Sequence, residues 1–502
     1  MTSIIIQLAT PEDTTRLGQD LALALRKGDL VTLSGDLGAG KSTLARGLIR
    51  TIADDNLYEV PSPTFTIVQS YPELRLPISH VDLFRLTSVD ELDELGLDEA
   101  LEDGAVVVEW PERAGDTLSA SSLTATLVND GDGRKALIEG EPAALARLQR
   151  SLAIREFLAE EGFATAERRY LLGDASARGY ETIAMGEGPP FILMNSPYNP
   201  GGPVLRDGKT YMQIAHLSQS VNAFVALDRL LTSRGFTVPK IAAQDLENGF
   251  LILENLGSEG VLDAQGAPIL ERYEATVRLL ATLHQHSWSK DINLGEGISH
   301  HIHDFDRDAM MIEVELLSDW YVPRIRGAAL GPAQKAEYVA AWDEVFSQLS
   351  KTETSLLLRD VHSPNILWRE NENGINRVGL IDFQDAMIGP SAYDVASLIF
   401  DARVTIAPDI QDHLLGTYID ERRSADPGFD EALFRKAFAI MAAQRNAKIL
   451  GIFVRLDERD GKSFYLKHLP RIRSYLDRVI VHPALAPVKQ WCEKAGILSS
   501  EI

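Results

Sequence analysis

Apolar positions along this chain follow two successive patterns. Over roughly the first 145 residues, short apolar runs alternate with stretches of helical period. Thr10 caps a helix predicted from about Pro11 to Lys27, with Pro11 in its first turn and Gly28 at its end. LVTLSG (30–35) then has the continuous apolar character of a buried parallel strand, and a second helix is predicted from Lys41 to Ala53. AVVVEW (105–110) is another buried-strand run, four apolar residues ahead of Glu109. The stretches GDTLSASS (115–122) and NDGDGR (129–134) are turn-rich. From residue 141, EPAALARLQRSLAIREFLAEEGF carries apolar residues at steps of three and four, so a domain boundary is placed near residue 145. Beyond it, short strands between 168 and 194 precede long helical stretches, and a second strand-rich patch occupies 356–383. The pattern predicts an α/β domain over 1–145, then an α+β domain over 146–502 with a small strand-rich lobe and a larger helical lobe.

Composition narrows the function classes. At 502 residues the chain exceeds what one core usually supports. Hydrophobic residues make up 45% and charged residues 24%, and no apolar run approaches the roughly 18 residues of a membrane helix, so a soluble chain without membrane association is expected. The opening MTSIIIQLAT lacks the marks of a secretory signal, and the single cysteine, Cys492, allows neither an internal disulfide nor a cysteine-built metal site; both features fit the cytoplasm. The net charge is −24. Residues 1–150 hold 13 Lys and Arg against 25 Asp and Glu, a balance of −12. Nucleic acid is therefore expected to be met through a partner rather than through this chain's own basicity.

Two stretches carry phosphate chemistry. GDLGAGKST (35–43) fits the P-loop pattern between a predicted strand and a predicted helix. In it Gly35, Asp36, Leu37, Gly38, Ala39, Gly40 and Thr43 frame a loop whose backbone N–H groups approach phosphates, Lys41 supplies positive charge, and the Ser42 hydroxyl is suited to Mg²⁺. Such a site needs a carboxylate beside the metal, and Glu109 is the candidate. ATP and Mg²⁺ are the expected cofactors. With SPTFTIV (62–68), HVDLFRL (80–86), ELGLDE (94–99) and VEWPER (108–113), the loop resembles the TsaE family, bacterial ATPases of tRNA threonylcarbamoyladenosine synthesis. The resemblance implies partners of TsaD and TsaB type that carry the modification chemistry, with tRNA involved only indirectly. It also implies that Thr64 senses the γ-phosphate, that Asp82 orients water or metal, and that Trp110 lies near the nucleotide. From the residues alone, Thr64 is a turn residue between Pro63 and Phe65, and Trp110 is a core residue.

The second stretch is RDVHSPN (359–365). Asp360 and Asn365 have the D-x-x-x-x-N spacing of a kinase catalytic loop, and Asp382 ends the strand-like VGLIDFQD. Asp360 is placed to accept the proton of a substrate hydroxyl, while Asn365 and Asp382 are suited to Mg²⁺ on the ATP phosphates. Upstream, LLGDASARGYETI (171–183) reads as a strand, a small-residue turn and a strand. LILENL (251–256), which contains Glu254, resembles a hinge that receives adenine through backbone groups, and LATLH (280–284) a helix ahead of the catalytic loop. Residues from 146 to about 490 resemble the aminoglycoside phosphotransferase family, whose usual loop has glycine where this chain has Arg359. The GDASARGY turn, RDVHSPN, IDFQDAMIGPSAYD and QRNAKILGIF together resemble AmgK-type kinases. That resemblance implies phosphorylation of the anomeric hydroxyl of N-acetylmuramate or N-acetylglucosamine. Where a kinase strand places a lysine against the phosphates, FILMNSP has Met194; Arg178 is the candidate replacement, or else a solvated loop arginine. Three readings stay open: a bifunctional ATPase and sugar kinase, a kinase lobe that only binds, and a kinase for another small alcohol such as an aminoglycoside or choline.

Overall fold

The computed structural model describes residues 3–115, 117–172 and 178–497, and these divide into two compact units between Met194 and Asn195. In the first, a seven-stranded sheet has the order β1-β7-β6-β2-β5-β4-β3, with β1 Ile4–Leu8, β2 Leu30–Ser34, β3 Val68–Tyr71, β4 Ile78–Asp82, β5 Ala105–Glu109, β6 Leu123–Asp130 and β7 Gly133–Gly140. The central strands β4, β5, β2 and β6 pair in parallel, and β1, β7 and β3 add antiparallel edges. Burial on both faces explains the unbroken apolar runs, since every residue of β4 and β5 is buried. Helix α1 spans Pro11–Ala24, capped by Thr10 in a reciprocal bond with Asp13, and α2 spans Lys41–Ala53. The two helices pack backbone to backbone. A Cβ on Gly18 would stand 2.5 Å from the Leu44 carbonyl oxygen, and one on Gly47 would stand 2.7 Å from that of Thr15.

The sequence boundary near residue 145 falls inside this first unit. Helix α3 (Leu97–Asp103) lies beside the sheet, and helix α4 (Pro142–Glu160) sends Ala144, Leu145 and Leu148 into the same core as Leu17 and Leu21 of α1. The strands β8 (Glu167–Leu171) and β9 (Gly179–Ala184) follow as an antiparallel pair, then β10 (Phe191–Asn195). Arg168 of β8 is 5% exposed, and all five of its N–H groups are used. Nε and Nη2 donate to Glu181 at 2.7 and 2.9 Å, Nη1 to Asp20 Oδ1 at 2.8 Å, and Nη1 and Nη2 to the carbonyl and hydroxyl of Ser151 at 3.0 and 3.3 Å. Arg155 adds two bonds to Asp20 at 2.6 and 2.9 Å. One buried ionic cluster thus ties α1, α4, β8 and β9 together. Its composition explains why no loose linker separates them: breaking it would leave charges buried without partners.

The second unit is mostly helical. Its strands Thr354–Leu357 and Met387–Pro390 pair with each other, as do Ile366–Trp368 and Val378–Leu380, so two short ribbons bracket residues 358–365 and 381–386. The helix Glu431–Asp460 runs through this unit. Its sequence contains one window apolar enough to cross a membrane, contrary to the expectation from apolar runs, yet 94% of that window is buried inside the protein, as in a core helix. Gly451 permits its closest crossing, because a Cβ there would lie 2.2 Å from the carbonyl carbon of Leu316 on helix Arg307–Leu316.

Candidate functional site

The strand β2 delivers the chain to Gly35, and α2 starts at Lys41. Between them Gly35, Gly38 and Gly40 have φ of 137°, 79° and 105°, a left-handed run that L side chains resist. This curls the loop of Asp36, Leu37 and Ala39 around the N-terminus of α2, with Thr43 in its first turn. Lys41 Nζ donates to the carbonyl oxygens of Gly35 and Asp36 at 2.5 and 2.9 Å and lies 3.5 Å from the centre of the Trp110 ring. Burial pulls the Lys41 pKa down, opposed first by the charge of Glu109. Ser42 Oγ donates to Glu109 Oε2 at 2.9 Å, so the β5 terminus brings its carboxylate to the hydroxyl 67 positions away.

The residues of the intervening motifs meet there too. Asp82 ends β4 in register with Glu109, accepts from Thr64 Oγ1 at 3.0 Å and caps Phe84 N at 3.0 Å. Trp110 has φ 61° and packs against Phe84 at 5.0 Å between ring centres, which places it beside the loop lysine while it remains part of the apolar cluster. Two neighbours escaped the sequence reading. His80 Nε2 lies 2.9 Å from Glu109 Oε1, and Arg134 of β7 donates to the Gly38 carbonyl at 3.1 Å. His80 stands inside the quoted HVDLFRL; Arg134 is in a turn-rich stretch and carries no sequence signal.

In the second unit, Asp360 and Asn365 lie in the segment between the ribbons and Asp382 at the end of the other. Asn365 Nδ2 donates to the Asp360 carbonyl at 2.9 Å and to Asp382 Oδ2 at 3.4 Å, so the three residues form one cluster. Gln384 donates to Asp382 Oδ1 at 2.8 Å. The backbone takes an unusual form at two points: φ is 68° at Arg359 and 60° at Asp382. The first accounts for the glycine usual at that position. Here the arginine is held instead by Glu313, by a bond from its Nη1 to the Ala215 carbonyl at 3.1 Å, and by Asp394, which accepts from the N–H groups of Leu358 and Arg359 at 2.7 and 2.9 Å. Asp401 accepts from Ser363 N at 2.7 Å. Burial favours protonation of Asp360, but Lys448, then His362, Arg445 and Arg359, lower its pKa to about 2. His362 is pulled down to about 4, first by burial.

Glu254 follows strand Phe250–Leu253, and its carboxylate accepts from Lys240 N at 3.3 Å and stands 3.9 Å from Arg369. Arg178 is half-buried immediately before β9, and residues 173–177 of the small-residue turn lie outside the described residues. Met194 is buried in β10. Glu313, Asp394, Asp401, Arg403, Arg445 and Lys448 were not singled out from sequence. Asp394, Arg445 and Lys448 do lie in the quoted SAYD and QRNAKILGIF stretches.

Strand, glycine loop and helix on a mainly parallel sheet define a P-loop ATPase domain, and the bracketed Asp–Asn–Asp cluster under a helical lobe defines a kinase-like phosphotransferase. The family "Threonylcarbamoyl adenosine biosynthesis protein TsaE" matches residues 8–136, and the "Phosphotransferase enzyme family" matches residues 199–433. An N-acetylmuramate/N-acetylglucosamine kinase of Caulobacter vibrioides is 32% identical over 357 residues, 69% of this chain and 96% of the relative. The kinase of that name from Pseudomonas putida is 32% identical over 312 residues, covering 61% and 81%. A TsaE protein of Streptomyces coelicolor is 46% identical over 110 residues, covering 21% and 73%. The chain belongs to the TsaE family through its N-terminal part and to the phosphotransferase enzyme family through the remainder.

Proposed function

We propose that this chain is bifunctional: an ATPase supporting tRNA threonylcarbamoyladenosine synthesis, and an ATP-dependent kinase for the anomeric hydroxyl of N-acetylmuramate and N-acetylglucosamine. The observation that carries the kinase reading is the convergence of Asp360, Asn365 and Asp382 in one cluster, within the residues 199–433 that match the phosphotransferase enzyme family. The ATPase reading rests on the Ser42–Glu109 bond at the mouth of the glycine loop.

Both donor sets suit Mg²⁺, being built of hydroxyl, carboxylate and amide oxygens. Ser42 and Glu109 would hold it in one site, and Asn365 and Asp382 in the other; when bound, it screens the phosphate charge. The rest falls to the chain. The loop N–H groups and Lys41 bind the phosphates in the first site, while Asp82 and Thr64 orient the groups around them. In the second, Asp360 orients the acceptor hydroxyl. With a pKa of about 2 it is ionised at neutral pH and takes the proton late, as that hydroxyl gains acidity on bonding to phosphorus. Partners of TsaB and TsaD type supply the tRNA context, consistent with the acidic balance of residues 1–150, and the work is cytoplasmic.

The test uses the full chain with Mg²⁺-ATP and each sugar, and phosphorylated product is followed by ³¹P NMR. Asp360→Asn should lower sugar turnover about 10²- to 10⁴-fold, the span of a lost general base. Lys41→Ala should abolish the ATP hydrolysis stimulated by a TsaB/TsaD-type complex and leave sugar phosphorylation intact. A wild-type chain that binds Mg²⁺-ATP yet phosphorylates neither sugar would overturn the kinase reading in favour of a lobe that only binds.

A further inference from the structure

The helix Glu431–Asp460 passes the catalytic cluster with the stretch Gln444–Lys448, and four of its residues meet very different fates. Gln444 donates to Glu313 Oε2 at 2.8 Å, Asn446 to the Ala442 carbonyl at 2.8 Å, and Lys448 lies 2.9 Å from Glu313 Oε1 and 3.3 Å from Tyr393 Oη. Glu313 also binds Arg359, the residue before Asp360, which sets this stretch beside the catalytic turn. Arg445 is 4% exposed, and its Nη1 is buried with no hydrogen-bond partner among the described residues. The other cations here each have a partner for their charge or a ring to meet: Arg359, whose Nε is likewise without an acceptor among the described residues, and Lys448 share Glu313, and Arg403 Nη1 meets the His362 ring at 3.0 Å. Arg445 lies on the same helical turn as Gln444 and Lys448, both of which meet Glu313, the carboxylate that binds Arg359 next to Asp360.

An arginine stays charged at any working pH, so it cannot relieve its burial by losing a proton. A buried donor without a partner is costly, and a buried cation more so, unless an anion completes the site. Two anions come within reach of Asp360 in the proposed reaction: the phosphoryl group in transit and the carboxylate of N-acetylmuramate. The phosphoryl group is the better match. In the proposed reaction it is handed to the hydroxyl that Asp360 orients, beside the acidic group of Asp382, and the chain has Met194 where a kinase usually places a lysine. We propose that Arg445 is a catalytic residue of the kinase, its guanidinium donating to a non-bridging oxygen of the γ-phosphoryl group during transfer. The acceptor oxygen bonds to the γ-phosphorus, the bond to the β,γ-bridging oxygen breaks, ADP leaves, and the acceptor proton passes to Asp360. This rests on the kinase reading above.

The test compares wild type, Arg445→Met and Arg445→Lys as full chains, by turnover on both sugars, ADP affinity, melting temperature, and retention of ADP–aluminium fluoride, which mimics the phosphoryl group in flight. Arg445→Met should lower kcat about 10²- to 10³-fold with both sugars alike, as for loss of one transition-state donor. It should lose the aluminium fluoride trap, keep ADP affinity, and melt no lower than wild type. Arg445→Lys should recover part of kcat and of the trap. A kcat within about threefold of wild type, a defect confined to N-acetylmuramate, or a lowered melting temperature with equal loss of ADP binding would each overturn the assignment. If wild type phosphorylates neither sugar, the acceptor reading fails and the trap alone decides Arg445: loss on substitution supports it, retention overturns it.

Discussion

Replacing Arg168 by methionine tests whether the ionic cluster in the first unit holds α1, α4, β8 and β9 together. Methionine fills much of the space of the side-chain stem and removes all five N–H donors. Asp20 would keep Arg155 at 2.6 and 2.9 Å, whereas Glu181, 8% exposed, would lose both of its short bonds. One carboxylate is therefore orphaned rather than two, which puts the loss near the lower end of the range for breaking a buried pair, about 3 kcal/mol. At about 2–4 °C per kcal/mol for a body of this size, the first unit should melt about 6–12 °C lower. Hydrogen exchange resolves the effect by segment, and the amides of α1, β8 and β9 should lose protection together. Arg168→Met combined with Glu181→Met removes both charges and should recover most of the loss, because an apolar pair of similar volume substitutes well for a buried ion pair. A single variant within about 1 kcal/mol of wild type, or a double variant worse than the single, would refute the reasoning.

Two further predictions concern the second unit. Asp228 on helix Val221–Ser233 is 6% exposed, its Oδ2 has no hydrogen-bond partner among the described residues, and burial raises its pKa to about 7. A raised folded-state pKa means that the carboxyl is tolerated below the unfolded value near 4 and destabilises progressively as pH rises through about 7, by up to about 4 kcal/mol. Urea melts of Asp228→Asn and wild type should therefore diverge in favour of the variant between about pH 4 and 7 and run parallel above about 8; a constant difference across that range would exclude the mechanism. Gly451→Ala would drive a methyl into the Leu316 backbone, which cannot swing aside like a side chain, and should cost about 1–3 kcal/mol or more, read as a lower melting temperature. An unchanged melting temperature would mean that the two helices do not cross this closely.

What the sequence revealed depended on how local the signal was. The glycine loop and its helix are contiguous, and a helix start at Lys41 could be read from them directly. Glu109 was found because a continuous apolar run on a doubly covered strand points to its own last residue. Asp360, Asn365 and Asp382 were recognisable through fixed spacing within 23 positions. The groups that hold them were not. Glu313 and Asp394 reach Arg359 from 46 and 35 positions away, and Lys448 reaches Glu313 from a helix whose middle is buried on every side, so that no polar face marks it. Arg359 itself looked like a departure from the usual loop, and only its backbone angle explains what the glycine elsewhere accomplishes. The N-terminal part of the kinase-like sequence looked separable because composition changes near residue 145, but composition carries no record of where Asp20 and Arg168 meet.

Helix α4 constrains how this gene can change. One side of it fills the core under α1 through Ala144, Leu145 and Leu148; a turn later, Ser151 and Arg155 meet Asp20. Each residue of a helix turns the chain by about 100° and advances it about 1.5 Å. A single-residue deletion anywhere between these two groups would swing one of them off its partners, whatever amino acids remained. Point substitutions can accumulate along the solvent side of α4, but its length is fixed, so homologous fusions should vary in spelling across residues 142–160 and hardly at all in count.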